Sequence, residues 1–402
     1  MALADPVQSF NLPSRTARYV AGTVFFIAIA AGAVSAVWSM AAGRIVLAPE
    51  AWTRAGLMQG ETTRLLATEL TRAPLPAAMA DAERGASWLL AGSLGPRVRQ
   101  GCGQWLFLVD ELTVHLNARQ NLETRLDAAE RMRKLLHGRG IELMVATVPD
   151  KSRVQHEQLC GIYRPASFAG RLPGWEEGLA QRGVASAVLQ PALEAVGGGD
   201  DQPFLRTDTH WTEAGARAAA EAIAHAVDRT GAELTPPLLY ALEPGEPRFR
   251  EGDLVRLAGI DWLPMALQPS PDKVTPTRFN IEKPAAQDTK GGAQGSGDAG
   301  DDLFGDASLP SVALIGTSYS RTSSFVSFLE AALRTPVPSF AQDGGDFWGA
   351  AKTYLASAEF RDTPPRVVIW EIPERVLQMP VVAEERAWME SLETAVRKGE
   401  VP

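Results

Sequence analysis

Asp208, His210 and Ser318 are the residues whose types and spacing are suited to chemistry. The stretch LRTDTHWTEAGARAAA (residues 205–220) places an aspartate two positions before a histidine. Side chains at positions i and i+2 of an extended segment point the same way, so Asp208 can hold one ring nitrogen of His210 while the other faces a cleft. This arrangement is typical of the base and its orienting carboxylate in a nucleophilic site.

A nucleophile is predicted about a hundred residues later. The apolar run SVALIG leads into Gly316, Thr317 and Ser318. In α/β folds, a glycine followed by hydroxyl residues at a strand-to-helix turn exposes a serine at the carboxyl edge of the sheet, where N–H groups stabilise an oxyanion. Ser318 is therefore the predicted nucleophile. The alternative is that these hydroxyl residues only cap a helix.

The elements that must position these residues follow an alternating pattern. Continuous apolar runs predict strands buried on both faces, and alanine-rich or amphipathic segments predict helices between them. Thr212 is a suitable N-cap for the helix that begins at Glu213. The alternation favours an α/β fold with a doubly wound parallel sheet. Strands are predicted at residues 105–109, 141–149, 183–189, 311–316 and 366–373, and helices at 49–94, 121–138, 175–182, 213–227, 327–334 and 348–357.

The N-terminal region predicts a membrane anchor. Residues 19–43 contain no charged side chain, which is long enough to span a bilayer. Arg15 and Arg18 precede this run, so the N-terminus is expected in the cytoplasm and the remainder outside the inner membrane. A cleaved signal peptide is the alternative, but the run exceeds the usual apolar core of about 7–15 residues.

The predicted organisation has four parts and one insertion. They are a cytoplasmic N-terminus at 1–18, the transmembrane anchor at 19–43, a helical lead-in at 44–100 and a catalytic domain at 101–402. A flexible insertion is predicted at about 284–302, where glycine and aspartate dominate. Residues 236–277 contain many prolines and few periodic runs.

The net charge, the cysteines and the remaining histidines limit the classes of protein and the kinds of site that fit this sequence. The 402 residues carry a net charge of −9, which argues against a nucleic-acid binder. The two cysteines, Cys102 and Cys160, form a disulfide if the body is periplasmic; two buried free thiols are the alternative. The remaining histidines show no paired spacing, so no metal site is predicted. They are His115, His137, His156 and His225.

Five segments together resemble one family. GQWLFLVDEL, VPDKSRV, DTHWTEAGA, GTSYS and IWEIPERVL occur in this order in the SGNH-hydrolase-like proteins of bacterial alginate O-acetylation, the AlgJ/AlgX group. The resemblance covers residues 101–376 and implies an SGNH-hydrolase-like fold with a circularly rearranged motif order, because Asp-x-His precedes the serine. It implies that Ser318 is the nucleophile, His210 the general acid/base and Asp208 the orienting carboxylate.

Five further residues are expected to act in the oxyanion hole or in substrate binding. The backbone N–H groups of Tyr319 and Gly345 are expected in the oxyanion hole. Trp211 is expected to line the acceptor cleft, or else to pack against the next helix. Lys151 and Arg321 are expected to attract a carboxylate-bearing polymer, or else to be ordinary rim charges.

Three acidic residues and an arginine complete the set of marked positions. Glu371 and Arg375 are expected to form a structural ion pair. Asp110 and Asp253 lie in segments similar to the family and receive no chemical role.

The predicted function is a periplasmic, membrane-anchored O-acetyltransferase acting on an exopolysaccharide, either alginate-like or an acetylated cellulose. No cofactor is expected, since acetyl-CoA is not expected outside the inner membrane and no phosphate-binding glycine loop is present. The resemblance implies that a multi-spanning membrane acyltransferase delivers the acetyl group. A polysaccharide O-acetylesterase and a non-catalytic scaffold of an exopolysaccharide secretion complex are the alternatives.

Overall fold

A computed structural model describes residues 15–45, 53–197, 202–235, 237–282 and 310–398. The chain forms two compact units, Met1–Ser93 and Leu94–Pro402. The predicted insertion at 284–302 and most of the predicted cytoplasmic segment lie outside the described residues.

The first unit is helical. It contains α1 (Arg15–Ala41), α2 (Arg54–Met58), α3 (Glu61–Leu70) and α4 (Pro74–Ala91). The 27 residues of α1 extend about 40 Å, more than the roughly 30 Å hydrocarbon core of a bilayer. Large apolar side chains such as Phe25 and Phe26 are exposed along it. By length and composition, α1 is able to cross a membrane.

The second unit alternates strands with helices. The strands are β1 (Val98–Gln100), β2 (Leu106–Leu108), β3 (Glu142–Val148), β4 (Ala185–Val188), β5 (Leu239–Pro244), β6 (Arg248–Arg250), β7 (Asp272–Val274), β8 (Thr277–Glu282), β9 (Val312–Ile315) and β10 (Val367–Pro373). The helices are α5 (Ala118–His137), α6 (Lys151–Val154), α7 (Arg171–Gln181), α8 (Gln190–Glu194), α9 (Glu213–Asp228), α10 (Asp253–Leu257), α11 (Phe325–Leu333), α12 (Gly349–Leu355), α13 (Ala358–Asp362) and α14 (Ala383–Lys398).

The central sheet has the order β4-β3-β10-β9, and each neighbouring pair is parallel. Helices cover both faces: residues of α5, α7, α12 and α14 pack on one side and those of α9 and α11 on the other. Every residue of β10 is buried, as a strand covered on both faces requires. The predicted α/β class with a parallel sheet is confirmed.

Three antiparallel pairs lie outside this sheet. They are β1 with β2, β5 with β8 and β6 with β7. β5, β6 and β7 lie in the proline-rich region 236–277, for which the sequence pattern indicates little regular structure, and β8 begins at its end. Their side chains are mostly exposed or half-buried, so these short strands contain no long apolar run, although Phe279 and Ile281 alternate with polar residues in β8.

A disulfide joins Cys102, beside β2, to Cys160, with 5.5 Å between the Cα atoms.

Candidate active site

The Asp-x-His segment forms a tight loop in front of α9. Phe204 and Trp211 form an antiparallel bridge at the two ends of the loop, and the N–H of Leu205 donates to the carbonyl of His210 at 3.0 Å. Thr212 then caps α9, since its hydroxyl accepts from the N–H of Gly215 at 3.1 Å. The loop therefore ends at a capped helix, as the residue pattern predicts.

The serine lies in a 3₁₀ turn, Ser318–Arg321, directly after β9. The buried carboxylate of Glu371, in β10, holds this turn by accepting from the N–H of Thr317 at 2.6 Å and from the hydroxyl of Ser320 at 2.9 Å. Gly316 gives these groups room, because a Cβ there would lie 2.5 Å from Ser320 Oγ and 2.6 Å from Glu371 Oε2.

The two segments meet at His210. Its Nε2 lies 2.8 Å from Ser318 Oγ, and its Nδ1 lies 2.6 Å from Asp208 Oδ1. An ionised carboxylate only accepts hydrogen bonds, so Nδ1 carries the proton and Nε2 accepts from the serine hydroxyl. This is the nucleophile, base and orienter geometry of a serine triad. Asp208 and His210 are buried, whereas Ser318 is half-buried.

Asp208 remains ionised despite its burial. Burial alone raises the pKa of this carboxyl group, but the hydrogen bond from His210 and the charges of His210 and Arg250 hold its pKa well below the usual range. Arg250, in β6, donates from Nη2 to Asp208 Oδ2 at 3.0 Å. The proline-rich region thus supplies a cation to the site.

Tyr319 joins the serine turn, residues 318–321, to the histidine loop, residues 204–211. Its hydroxyl donates to the carbonyl of Thr209 at 2.9 Å, and its buried ring packs edge-on against His210 at 5.0 Å between centroids. The guanidinium of Arg375 lies 5.5 Å from the same ring. Arg375 thus packs on Tyr319, whereas Glu371 binds the serine turn. Each side chain therefore has a partner other than the one in the expected ion pair.

The expected role of Lys151 in substrate binding is wrong. Its side chain is fully buried, and Nζ donates to the carbonyls of Leu106, Arg206 and Asp208 at 2.7, 2.9 and 2.9 Å. These three acceptors use all three N–H donors of an ammonium group. Burial lowers the pKa of Lys151 to about 8, against the opposing charge of neighbouring carboxylates. Lys151 therefore stabilises the histidine loop through its hydrogen bonds to the carbonyls of Arg206 and Asp208.

Trp211 does not line an open cleft either. It is fully buried, its ring stacks on Phe325 at 4.7 Å and meets Tyr319 edge-on at 5.1 Å. Its Nε1 donates to the carbonyl of Thr322 at 3.4 Å. Trp211 therefore packs in the interior, and these contacts are with the serine turn and α11 rather than with α9, the next helix in the chain.

The two expected oxyanion donors differ in their surroundings. The N–H of Tyr319 faces Thr317 Oγ1 at 3.4 Å, a long contact beside the serine. The N–H of Gly345 donates to the carbonyl of Gln342 at 3.1 Å. Gly345 therefore uses its donor within its own turn, which corrects the expectation of a free donor. Arg321 is 57% exposed at the end of the serine turn, with Nε 3.7 Å from Asp343.

A second aspartate lies beside the histidine. Ligand atoms of Asp208, His210 and Asp253 lie within 4.8 Å of one another, a spacing that also suits a metal ion. Here Asp208 already shares a proton with Nδ1 and pairs with the cation of Arg250, while Thr209 donates to Asp253. Hydrogen-bond donors and a cation thus occupy the carboxylate oxygens, so we describe these residues as one polar network.

Four residues of the site carry little signal in the sequence. Thr209 is marked only by its place between Asp208 and His210, and Glu371 only as an acidic residue in a predicted strand. Arg250 and Asp253 come from a region without periodic pattern. Only their contacts with the histidine loop indicate their roles.

Comparison with known proteins places this site in a family context. Residues 98–374 match the model described as "SGNH hydrolase-like domain, acetyltransferase AlgX". The chain is 37% identical over 288 residues to the probable alginate O-acetylase AlgJ of Pseudomonas putida, covering 71% of each chain. It is 34% identical over 319 residues to that of Azotobacter vinelandii, covering 77% of this chain and 78% of the relative. Among solved structures it is similar to the O-acetyltransferase domain of Pseudomonas putida AlgJ, with a TM-score of 0.61 and 30% identity, covering 75% of this chain and 99% of that one.

Proposed function

Since the chain belongs to the family of SGNH hydrolase-like domains of the acetyltransferase AlgX, we propose that it is an O-acetyltransferase that uses an acetyl-Ser318 intermediate. The acceptors are hydroxyl groups of an exopolysaccharide. One observation carries the proposal: the continuous path from Ser318 Oγ to His210 Nε2 at 2.8 Å and from Nδ1 to Asp208 at 2.6 Å.

The proposed first half-reaction acylates the serine. His210 Nε2 takes the hydroxyl proton as Ser318 Oγ attacks the carbonyl carbon of an acetyl ester. Asp208 stabilises the imidazolium that forms, and the N–H of Tyr319 is the proposed donor to the oxyanion. When the carbonyl re-forms, the bond to the donor oxygen breaks, and that oxygen receives the proton from His210.

The second half-reaction reverses these roles. A sugar hydroxyl gives its proton to His210 Nε2 as its oxygen attacks the acetyl-serine carbonyl carbon. The serine oxygen leaves with the proton, which regenerates the site. Transfer differs from hydrolysis only in that the sugar hydroxyl, rather than water, accepts the acetyl group.

We place this chemistry on the periplasmic side of the inner membrane. The length and exposed apolar surface of α1 support an uncleaved anchor. Arg15 and Arg18 at the start of α1 support an N-terminus in the cytoplasm. The proposed donor partner is a multi-spanning membrane acyltransferase, which an enzyme held at the membrane can reach.

The proposed acceptor is an alginate-like polymer. The two relatives described above are named as probable alginate O-acetylases, and Arg321 offers an exposed cation beside Ser318 to the carboxylate of a uronate. An acetylated cellulose, which has no carboxylates, is the neutral alternative. A comparison of the two oligomers therefore tests the role of this cation.

The experiment compares the full chain in detergent with its Ser318→Ala variant. Ser327→Ala is the matched control, because Ser327 lies half-buried in α11 on the same stretch of chain. Each protein is incubated with a small acetyl ester and with mannuronate or cellulose oligomers, and the products are measured by mass spectrometry. We expect acetylated oligomers from the wild type and from Ser327→Ala but not from Ser318→Ala.

Other outcomes point to other functions. Serine-dependent release of acetate with every oligomer unmodified indicates an O-acetylesterase. Equal turnover by the wild type and Ser318→Ala contradicts catalysis by Ser318 and favours a scaffold.

A further inference from the structure

Asp253, at the start of α10, lies on the side of His210 that faces away from Ser318. Its Oδ2 is 3.8 Å from His210 Nδ1, close to the proton that this nitrogen shares with Asp208. Asp253 takes no part in the proposed proton transfers between Ser318, His210 and substrate.

Thr209 connects this carboxylate to the histidine ring. The N–H of Thr209 donates to Asp253 Oδ1 at 2.7 Å, and its hydroxyl donates to Asp253 Oδ2 at 2.5 Å. The same hydroxyl oxygen lies 3.2 Å from His210 Nδ1. Asp253 is therefore joined to the ring through a single side chain.

The hydroxyl has one proton, and this fact sets the direction of both bonds. Because the proton is given to Asp253, Thr209 Oγ1 offers only lone pairs to the ring. It is a second and longer acceptor, at 3.2 Å, for the Nδ1–H that Asp208 accepts at 2.6 Å. A hydroxyl free to rotate is able to donate to an unprotonated Nδ1 instead. That arrangement favours the Nε2–H tautomer, in which Nε2 has no lone pair to accept the proton of Ser318.

The chain around Asp253 is built closely onto the histidine loop. Arg250 donates to Asp208 Oδ2 at 3.0 Å, and the N–H of Asp253 lies 3.3 Å from the same oxygen. Gly252, between them, leaves no space for a side chain, because a Cβ there would overlap the carbonyl of Thr207. Asp253 thus has a defined position relative to the ring.

Burial and the charge of Asp208 raise the pKa of Asp253, whereas the charge of His210 and the hydrogen bonds from Thr209 oppose that rise. The donors of Thr209 therefore favour the ionised form that can orient the hydroxyl.

We propose that Asp253 is a positioning residue that acts through the hydroxyl of Thr209 to hold His210 in the Nδ1–H tautomer, ready to accept the proton of Ser318. It supplements Asp208, whose carboxylate binds Nδ1 directly. The inference rests on the proposed function of the triad, and it adds a second carboxylate to the groups that prepare the base.

The test uses the full chain in detergent and two measurements. The ¹⁵N NMR signals of histidine report the tautomer of His210, assigned by their loss in His210→Gln. Steady-state turnover of a small acetyl ester gives kcat and KM separately. The variants are Asp253→Asn, Thr209→Val and Thr209→Ser, and the control is Asp261→Asn, an exposed aspartate of the same region.

For Asp253→Asn we expect a detectable Nε2–H population and a fall in kcat of about ten-fold, the effect of one hydrogen bond of ordinary strength. KM stays unchanged because the residue does not meet substrate. Thr209→Val has the same effect. Thr209→Ser, which keeps the hydroxyl, restores the Nδ1–H tautomer and most of the kcat that Thr209→Val loses, and Asp261→Asn behaves as the wild type.

The proposal is overturned if Asp253→Asn keeps both the wild-type tautomer and the wild-type kcat, or if Thr209→Val does. If Asp253→Asn does not fold, the contrast between Thr209→Val and Thr209→Ser decides the role of the hydroxyl. Valine keeps the shape of the threonine side chain without its hydroxyl, whereas serine keeps the hydroxyl. A wild type that shows no serine-dependent turnover contradicts the proposed function. The NMR measurement still decides the role of Asp253 in that case.

Discussion

Asp208 is an almost fully buried carboxylate that keeps its charge because donors surround it. His210 and Arg250 each donate to one of its oxygens. The folded-state pKa therefore lies below the ordinary value of 3.8. A carboxyl group of this kind stabilises the fold at pH values above its ordinary pKa, and the contribution is lost as the pH falls toward the folded-state pKa.

Replacing Asp208 by asparagine is expected to reduce kcat by about 10³- to 10⁴-fold, because the amide does not hold the required tautomer. The variant also melts at a lower temperature than the wild type at about pH 6. This difference shrinks toward about pH 3, because Asp208 takes up a proton in the unfolded wild type while it stays ionised in the folded one. Acetyl-ester turnover and thermal unfolding at the two pH values check both statements. A rate within about ten-fold of the wild type contradicts the assigned role.

Lys151 illustrates a charged residue whose value is structural. Its three N–H groups satisfy three carbonyls from two distant parts of the chain, including that of Asp208. Its Nζ also lies 5.0 Å from the ring centroid of Trp105 and 5.3 Å from that of Phe107.

The Lys151→Met variant removes one donor from each of those carbonyls, although the carbonyl of Arg206 still accepts from the N–H of Leu106 at 2.9 Å. We expect a loss of about 3 kcal/mol in the free energy of unfolding, together with lower kcat as the histidine loop loosens. Lys134→Met is the control: Lys134 forms a surface pair with Glu130, and its loss is expected to change stability by less than about 1 kcal/mol. Denaturant unfolding compares the two, and equal effects argue against this role of Lys151.

At the scale of elements, the carboxyl edge of the sheet brings the site together. β9 leads to Ser318, and β10 carries Glu371, which binds the serine turn. The segment after β10 holds the neighbouring strand end, since Glu374 accepts from the N–H of Asp150 at 3.0 Å and from Arg153 Nη2 at 2.6 Å. Adjacent parallel strands thus connect the VPDKSRV, GTSYS and IWEIPERVL segments directly.

Gly316→Ala tests the close contact between β9 and β10. The added Cβ meets Ser320 Oγ and the Glu371 carboxylate, so we expect a loss of about 1–3 kcal/mol in stability and a displaced Ser318 with reduced kcat. Gly349→Ala is the matched control, because a Cβ at the start of α12 meets only the end of the Gln342 side chain at 3.6 Å. Wild-type kcat and stability in Gly316→Ala would show that the turn adapts freely.

At the scale of the whole molecule, the anchor helix and the triad lie in different compact units. α1 belongs to Met1–Ser93, whereas Asp208, His210 and Ser318 all belong to Leu94–Pro402. The proposed chemistry therefore uses residues of one unit, and the proposed membrane attachment uses the other.

A variant that begins at Arg44 is expected to leave the membrane fraction. Its turnover of a small acetyl ester stays within about two-fold of the full chain, because the unit with the triad is intact. We expect acetylation of polymer in cells to fall, since the variant is no longer held beside the proposed membrane-bound donor partner. Fractionation, ester assays and polymer acetate content measure the three effects. A full chain recovered in the soluble fraction contradicts the uncleaved anchor.

The amino-acid sequence by itself determined the features that depend on neighbours in the chain. Alternating apolar runs and helices predicted the parallel sheet, and the order Asp-x-His, then Gly-Thr-Ser, predicted the residues that meet at the site. Asp208 and His210 are two positions apart, so their contact is local. Ser318 follows from a strand that must end at the carboxyl edge of the sheet.

Only the tertiary structure decided which charged residues from distant parts of the chain contact the histidine loop. Lys151 was expected at the surface and is buried because carbonyls 45, 55 and 57 positions away converge on it. Arg250 and Asp253 reach the histidine loop from 42 and 44 positions away, across a region without periodic pattern. Burial of a charge depends on such partners, and no local pattern encodes contacts of this range.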